Sequence, residues 1–149
     1  MAQRILVPLD QSLVAESIFP IVADLARGGG ASVRLLHVTP VPGNLVAKDG
    51  RVIAYADQEM ERVRAAGLDY FHGLEPRFAG VPLNAVVRFG EPVDEILREA
   101  ETFDADLIAV ATAGRSGLGR VVLGSVAEQV FHRAPMPVML FHPGRPSTR

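Results

Sequence analysis

Short apolar runs alternate along the chain with stretches whose apolar residues recur every three or four positions. Ile5 to Leu9, Val33 to Val38, Asn84 to Phe89, Leu107 to Ala111 and Val138 to Phe141 have the length and bounding of strands buried on both faces. From Ser12 to Arg27, the residues Leu13, Val14, Ile18, Ile21, Val22 and Leu25 predict a helix that Gly28-Gly29-Gly30 ends. Pro20 lies inside that helix and predicts a kink or a later start. Met60, Val63, Ala66, Tyr70 and Leu74 predict the inward face of a second helix, from Tyr55 to Phe78, weakened at Gly67 and Gly73. After the turn Gly90-Glu91, Pro92 opens a third helix with Val93, Ile96, Leu97 and Ala100 as its apolar stripe. A fourth is expected from Ser125 to Arg133, before Pro135-Met136-Pro137 releases the chain into the last strand. Thr39 to Arg51, which contains T-P-V-P-G-N, carries no pattern and is expected to be a loop, either a lid or a plain connection.

Strands separated by helices predict one α/β domain, a doubly wound parallel sheet with helices on both faces and right-handed crossovers. Such folds bind ligands outside the carboxyl ends of the strands, where the strand order reverses. If the first and fourth strands are central neighbours, Asp10 and the loop after Ala111 meet at that point. Asp10 has a second reading, as the cap of the first helix.

The loop is the most informative stretch. Thr112 to Gly124 holds four glycines and delivers Ser125, which stands three residues before Glu128 as a capping box. Strand, glycine loop and helix start together suit phosphate, because glycines let backbone N–H groups approach an anion and a helix start adds unpaired donors. The same residues would equally serve tight turns and a capped helix with no ligand. Neither better-known phosphate loop is present: no lysine stands in the loop, and the turn after the first strand has no glycine.

Composition narrows the rest. With 149 residues, 48% of them hydrophobic, one domain is expected. Net charge is −2, Lys48 is the only lysine and the arginines are dispersed, which excludes the basic footprint of a nucleic-acid partner. No cysteine is available for disulfides, thiol catalysis or thiolate metal sites. The four histidines lack paired spacing, so no metal site of the protein's own is indicated. Ile5 to Leu9 is too short for a signal or a membrane span, and the expected location is the cytoplasm, without membrane association.

The chain resembles the universal stress protein family over nearly its whole length. The resemblance rests on V-P-L-D-Q-S near the start, on L-L-H-V, and above all on D-L-I-A-V-A-T-A-G-R-S-G-L-G-R-V-V-L-G-S-V-A-E-Q-V-F-H-R-A-P-M-P-V. It implies a domain spanning 1–143, with 144–149 as a flexible tail, and a five-stranded parallel sheet of order 3-2-1-4-5. Members that bind ATP are similar in the pattern G-x-x-G, nine residues, G-[ST]. Gly114, Gly124 and Ser125 fit that spacing, whereas position 111 is alanine where the pattern has glycine. By resemblance Asp10 would approach the adenosine, Val38 would offer backbone bonds to adenine, and Gly114, Gly124, Ser125 and Val126 would surround the phosphates. Pro8, Val110, Ala111, Arg115 and Gly117 complete the candidate contacts, and a magnesium ion is expected to accompany the nucleotide.

Alanine at 111 costs about 1–2 kcal/mol if the position requires a left-handed backbone, roughly tenfold in affinity. In strand geometry it adds only a methyl group. The expected function is an ATP-binding, dimeric stress-response regulator; the alternative is a dimer of the same family that binds no nucleotide and acts through protein contacts alone. Hydrolysis would need a group to orient water. The loop offers neither carboxylate nor histidine, so slow turnover at most is expected. Val138 to Phe141 would lie at a sheet edge that must be covered or paired. A homodimer through that strand is expected, as the resemblance also implies; coverage by loops is the alternative.

Overall fold

The structure, a computed structural model, describes residues 3–11, 13–43, 45–112 and 122–142. Five strands form a parallel sheet: β1 (Arg4–Pro8), β2 (Ser32–Thr39), β5 (Leu83–Phe89), β6 (Leu107–Ala111) and β7 (Val138–Phe141). Their spatial order is β5-β2-β1-β6-β7, which is 3-2-1-4-5 when only these strands are counted. The interiors of β1 and β6 are fully apolar because α-helices cover both faces: Ile5, Leu6 and Val7 pack with Ile108, Ala109 and Val110 at the centre of the core. The N-terminus of β1 is stitched to β6 by Asp106, whose carboxylate accepts the backbone N–H groups of Gln3 (2.8 Å) and Arg4 (3.1 Å).

The first helical stretch is two helices. α1 (Leu13–Glu16) stops, and α2 (Phe19–Gly29) restarts with Pro20 in its first turn, where the missing N–H removes no helical bond. Proline therefore delays the start rather than bending a continuous helix. The inward face shifts accordingly. Phe19, Val22, Ala23 and Ala26 are buried, whereas Ile21 (38% exposed) and Leu25 (45%), expected inside, face outward. Gly28 and Gly29 remain helical, and Gly30 ends the helix in the left-handed conformation (φ 66°), its N–H bonded to the Ala26 carbonyl.

The stretch expected to be patternless, Thr39 to Arg51, contains β3 (Leu45–Val46), which forms a small antiparallel hairpin with β4 (Val52–Ala54) just beyond it. It is followed by α3 (Ala56–Leu74) and a single 3₁₀ turn (Glu75–Phe78). On α3, Ala66 is exposed and its neighbour Gly67 is buried. A β-carbon at Gly67 would stand 2.8 Å from Val87 Cγ2, so the glycine is the point where helix backbone meets β5. α4 (Pro92–Phe103) has Glu91 as its cap, the side chain accepting the Asp94 N–H, and Pro92 in its first turn as expected. α5 (Val122–Arg133) begins three residues before Ser125. Ser125 is thus an exposed residue of the helix, and the capping box expected at Ser125 and Glu128 does not start it.

In an ordinary helix interior Gly→Ala gains about 1 kcal/mol. At Gly67 the added methyl meets a stiff β-branched neighbour, and overpacking of about 1–3 kcal/mol outweighs that gain. Gly67→Ala is expected to lower the midpoint of thermal unfolding, measured by circular dichroism; a raised midpoint would show that Val87 yields freely.

Candidate functional site

At the carboxyl ends of the central strands the sheet parts. β1 pairs with β2 over five positions, from Arg4↔Ser32 to Pro8↔Leu36, but with β6 only at Ile5↔Leu107 and Leu6↔Ile108. Pro8, which has no N–H to donate, stands beyond the point where that second ladder ends. β1 is also where the strand order reverses, so the crevice opens at the switch point.

A cavity of about 60 Å³ lies there, lined by Pro8, Leu9 and Asp10 after β1, Leu36 and Val38 of β2, Pro92 and Ile96 of α4, and Val126 of α5. Its walls are apolar apart from Asp10. Four residues singled out from the sequence, Pro8, Asp10, Val38 and Val126, therefore meet in one place. Leu36, Pro92 and Ile96 were not assigned to the site, although Ile96 was visible as part of the α4 stripe. Beside the cavity, Gln11 has a left-handed backbone (φ 65°), uncommon for a residue with a side chain. The Leu9 N–H bonds to the Leu36 carbonyl (2.8 Å), which holds the segment leading to Asp10 on β2.

Val110 and Ala111 lie on β6 and do not line the cavity. Ala111 is a regular strand residue, paired with Phe141 and 1% exposed. The left-handed penalty considered for alanine at 111 does not arise, since among the described residues with side chains only Gln11 and Asp104 have positive φ. The next residue, Thr112, donates its N–H to the Phe141 carbonyl (2.7 Å) and places its hydroxyl 3.0 Å from His142 Nδ1. Gly114, Arg115 and Gly117 lie outside the described residues. Gly124 and Ser125 lie in the first turns of α5, the helix that also supplies Val126.

A larger hollow of about 670 Å³ lies between α4 and the end of α5, toward the amino ends of β6 and β7; Asp94, Leu97, Arg98, Glu101, Arg133 and Met136 are among its lining residues. None of the candidate residues borders it, and it is not where a doubly wound sheet presents a ligand crevice. Among the described residues no group of three metal-ligating side chains occurs, and no helix is long and apolar enough to cross a membrane.

Two polar clusters brace the domain, and the second of them lies against the helix that walls the cavity. The first is at Glu16, the last residue of α1, which accepts the Tyr70 hydroxyl and Arg77 Nη1 (2.8 Å), while Arg77 also lies over the Phe19 ring at 4.8 Å. Burial, and then donation to the Glu16 carboxylate, pushes the Tyr70 hydroxyl above the ordinary tyrosine range; Asp10 adds to the shift and Arg77 opposes it. The second cluster lies under α4. Glu95 and Glu99 are buried, 7% and 2% exposed. Glu99 accepts Arg34 (2.7 Å) and Arg88 (2.6 Å), and Glu95 accepts Arg88 (2.8 Å) and Arg98 (2.9 Å). Arg34 also donates to Asn84 (2.9 Å) and lies 4.2 Å from the Phe103 ring centroid. A sequence signal for this cluster existed: arginines within two mostly apolar strands, followed by two glutamates four apart on the next helix.

These features define a doubly wound α/β domain with an apolar crevice and one carboxylate at its switch point. The chain belongs to the universal stress protein family, whose family model matches residues 1–142. It is 33% identical over 147 residues to a universal stress protein of Methanothermobacter thermautotrophicus, covering 94% of this chain and 95% of that one. Several other curated relatives are matched over less than half of their own length. Among solved structures, the fold is similar to a universal stress protein in complex with cAMP (TM-score 0.65, 20% identity, 96% of this chain and 99% of that one). It is likewise similar to one from Archaeoglobus fulgidus in complex with dAMP (TM-score 0.59, 23% identity, 93% and 96%).

The raised Tyr70 value has a direct consequence. Below the ordinary tyrosine value of about 10 both states hold the proton; above it the unfolded chain releases it first, so folding stability falls as pH rises. Tyr70→Phe is expected to flatten the alkaline limb of the stability profile, measured by urea unfolding between about pH 9 and 11. A limb as steep as that of the wild type would place the loss at another group.

Proposed function

We propose that this stress protein binds ATP, with magnesium carried on the phosphates, at the carboxyl ends of the central strands, and acts as a homodimer whose interactions depend on the bound nucleotide. The observation that carries the reading is the meeting of Asp10 with an apolar slot at the switch point. A flat base fits between aliphatic and proline side chains, and a carboxylate beside it accepts hydrogen bonds from ribose hydroxyls. The two neighbours in complex with cAMP and dAMP support it, since both ligands carry adenine. The start of α5 after the glycine loop offers helix N–H groups for phosphate.

The fit is good for the nucleoside end. Small-molecule sites commonly measure about 300–1,000 Å³, and the slot of about 60 Å³ accepts part of a nucleotide rather than the whole. That small volume also favours the second reading, a dimer of the same family that works through protein contacts without nucleotide. Magnesium would be held by the phosphates, with no set of protein ligands required of the described residues.

The dimer reading rests on β7. It is an edge strand beyond β6, and its Leu140 is 39% exposed. A two-fold axis perpendicular to the sheet would pair this edge with its own copy, closing a row of backbone donors and acceptors.

Titration of the wild type with ATP and magnesium by calorimetry is expected to show micromolar binding, and Asp10→Ala to weaken it about tenfold, the worth of a hydrogen bond to a charged group. No heat and no competition by millimolar ATP would leave the interaction-only dimer. Leu140→Lys is expected to convert the dimer to a monomer in light scattering; a monomeric wild type, or a dimeric variant, would remove β7 as the interface.

A further inference from the structure

The two walls of the cavity belong to two facing stripes. On β2, Arg34, Leu36 and Val38 stand two apart and share one face of the sheet. On α4, Pro92, Ile96 and Glu99 stand four and three apart and share one face of the helix. Leu36, Val38, Pro92 and Ile96 line the cavity, and Arg34 and Glu99 are joined at 2.7 Å. Helix and strand thus run in opposite directions, joined by an ion pair at one end and enclosing the cavity at the other. The spans agree: Pro92 to Glu99 covers about 10 Å of helix and Arg34 to Val38 about 13 Å of strand.

Arg88 of β5 completes the joint. It is the register partner of Val38 and bridges both carboxylates of α4, Glu95 at 2.8 Å and Glu99 at 2.6 Å. The turn before the helix is fitted to the same cluster. Gly90 donates its N–H to the Thr39 carbonyl (2.9 Å), and a β-carbon on Gly90 would stand 2.8 Å from Glu95 Oε1. An apolar interface lets a helix slide or roll with little change in buried area. Bonds from guanidinium to carboxylate are directional, and a misplaced buried carboxylate is costly, so this joint fixes how far α4 stands from β2.

We propose that the ion pairs of Arg34 and Arg88 with Glu95 and Glu99 are a positioning device that sets the width of the base-binding cavity. These four residues then govern affinity for the nucleoside end of a ligand that they do not touch. The inference rests on the nucleotide reading above. It assigns specificity to the joint: a slot held at one width selects a flat purine base over ligands needing a wider mouth.

Removing one partner of a buried pair destabilises, while replacing a whole cluster by apolar residues of similar volume is often neutral or stabilising. That contrast separates positioning from stability. The variant Arg34→Met, Arg88→Met, Glu95→Leu, Glu99→Leu is expected to unfold no earlier than the wild type, yet to bind AMP about tenfold more weakly by calorimetry. Arg88→Lys, whose ammonium lacks the planar fork that joins two carboxylates, is expected to fall between them. Wild-type AMP affinity in the folded apolar variant would overturn the inference. If that variant does not fold, folded Arg88→Lys with unchanged AMP affinity overturns it instead. A wild type that binds neither AMP nor ATP would remove the nucleotide reading itself, an outcome distinguished by the wild-type titrations alone.

Discussion

A carboxylate taken out of water must be answered by cations and hydrogen bonds, and this domain buries two of them under one helix. Glu95 and Glu99 oblige Arg34 and Arg88 to face α4 from two neighbouring strands, which in turn fixes the helix against β2 and β5. The cavity at the switch point follows from that arrangement, because the helix face carrying Glu99 also carries Ile96 and Pro92. On the other side of the sheet the joint is apolar: Gly67 lets α3 approach Val87, and Phe71, Leu74 and Phe78 fill the space beside α2. The domain thus holds one face of its β2–β5 edge by directional bonds and the other by close packing.

Strand identity and order were readable because a parallel sheet covered on both faces leaves its central strands apolar. Ile5 to Leu9 and Leu107 to Ala111 could scarcely be anything else, and the order came with the family resemblance. Helix ends were less readable. Pro20 was visible, but whether it bends or begins a helix depends on the turn at Ser17 and Ile18, which no local pattern announces. Ser125 looked like a cap because Glu128 stands three residues after it; the helix extends past Gly124 to Val122 all the same. The inward face of the first stretch was misplaced for the same reason, since moving the start of a helix rotates every later residue.

The site was readable in the residues that the family resemblance marks and opaque in its supports. Asp10, Pro8, Val38 and Val126 were placed by family resemblance to a nucleotide site, and the fold brings them to one cavity. Leu36 and Ile96 were indistinguishable from ordinary core residues, as lining and packing use the same side chains. Glu95 and Glu99 were assigned no role from the sequence, although their spacing after two arginine-bearing strands was there to be read. Which arginine meets which glutamate is a property of the tertiary fold. The family gives the chain its class, and the particular way its α4 is anchored is written in charges far apart in sequence.

The near absence of lysine, noted for its bearing on charge, has a practical meaning once the hairpin is placed. Lys48 lies exposed in the turn between Val46 and Val52, on the segment that leaves β2 just after the cavity wall at Val38. Its ε-amine is the single side-chain amine of the sequence, and the arginine guanidinium groups are ones that amine-directed reagents pass over. Succinimide dyes, cross-linkers and acyl groups would therefore mark the protein at one internal address, the turn of the hairpin.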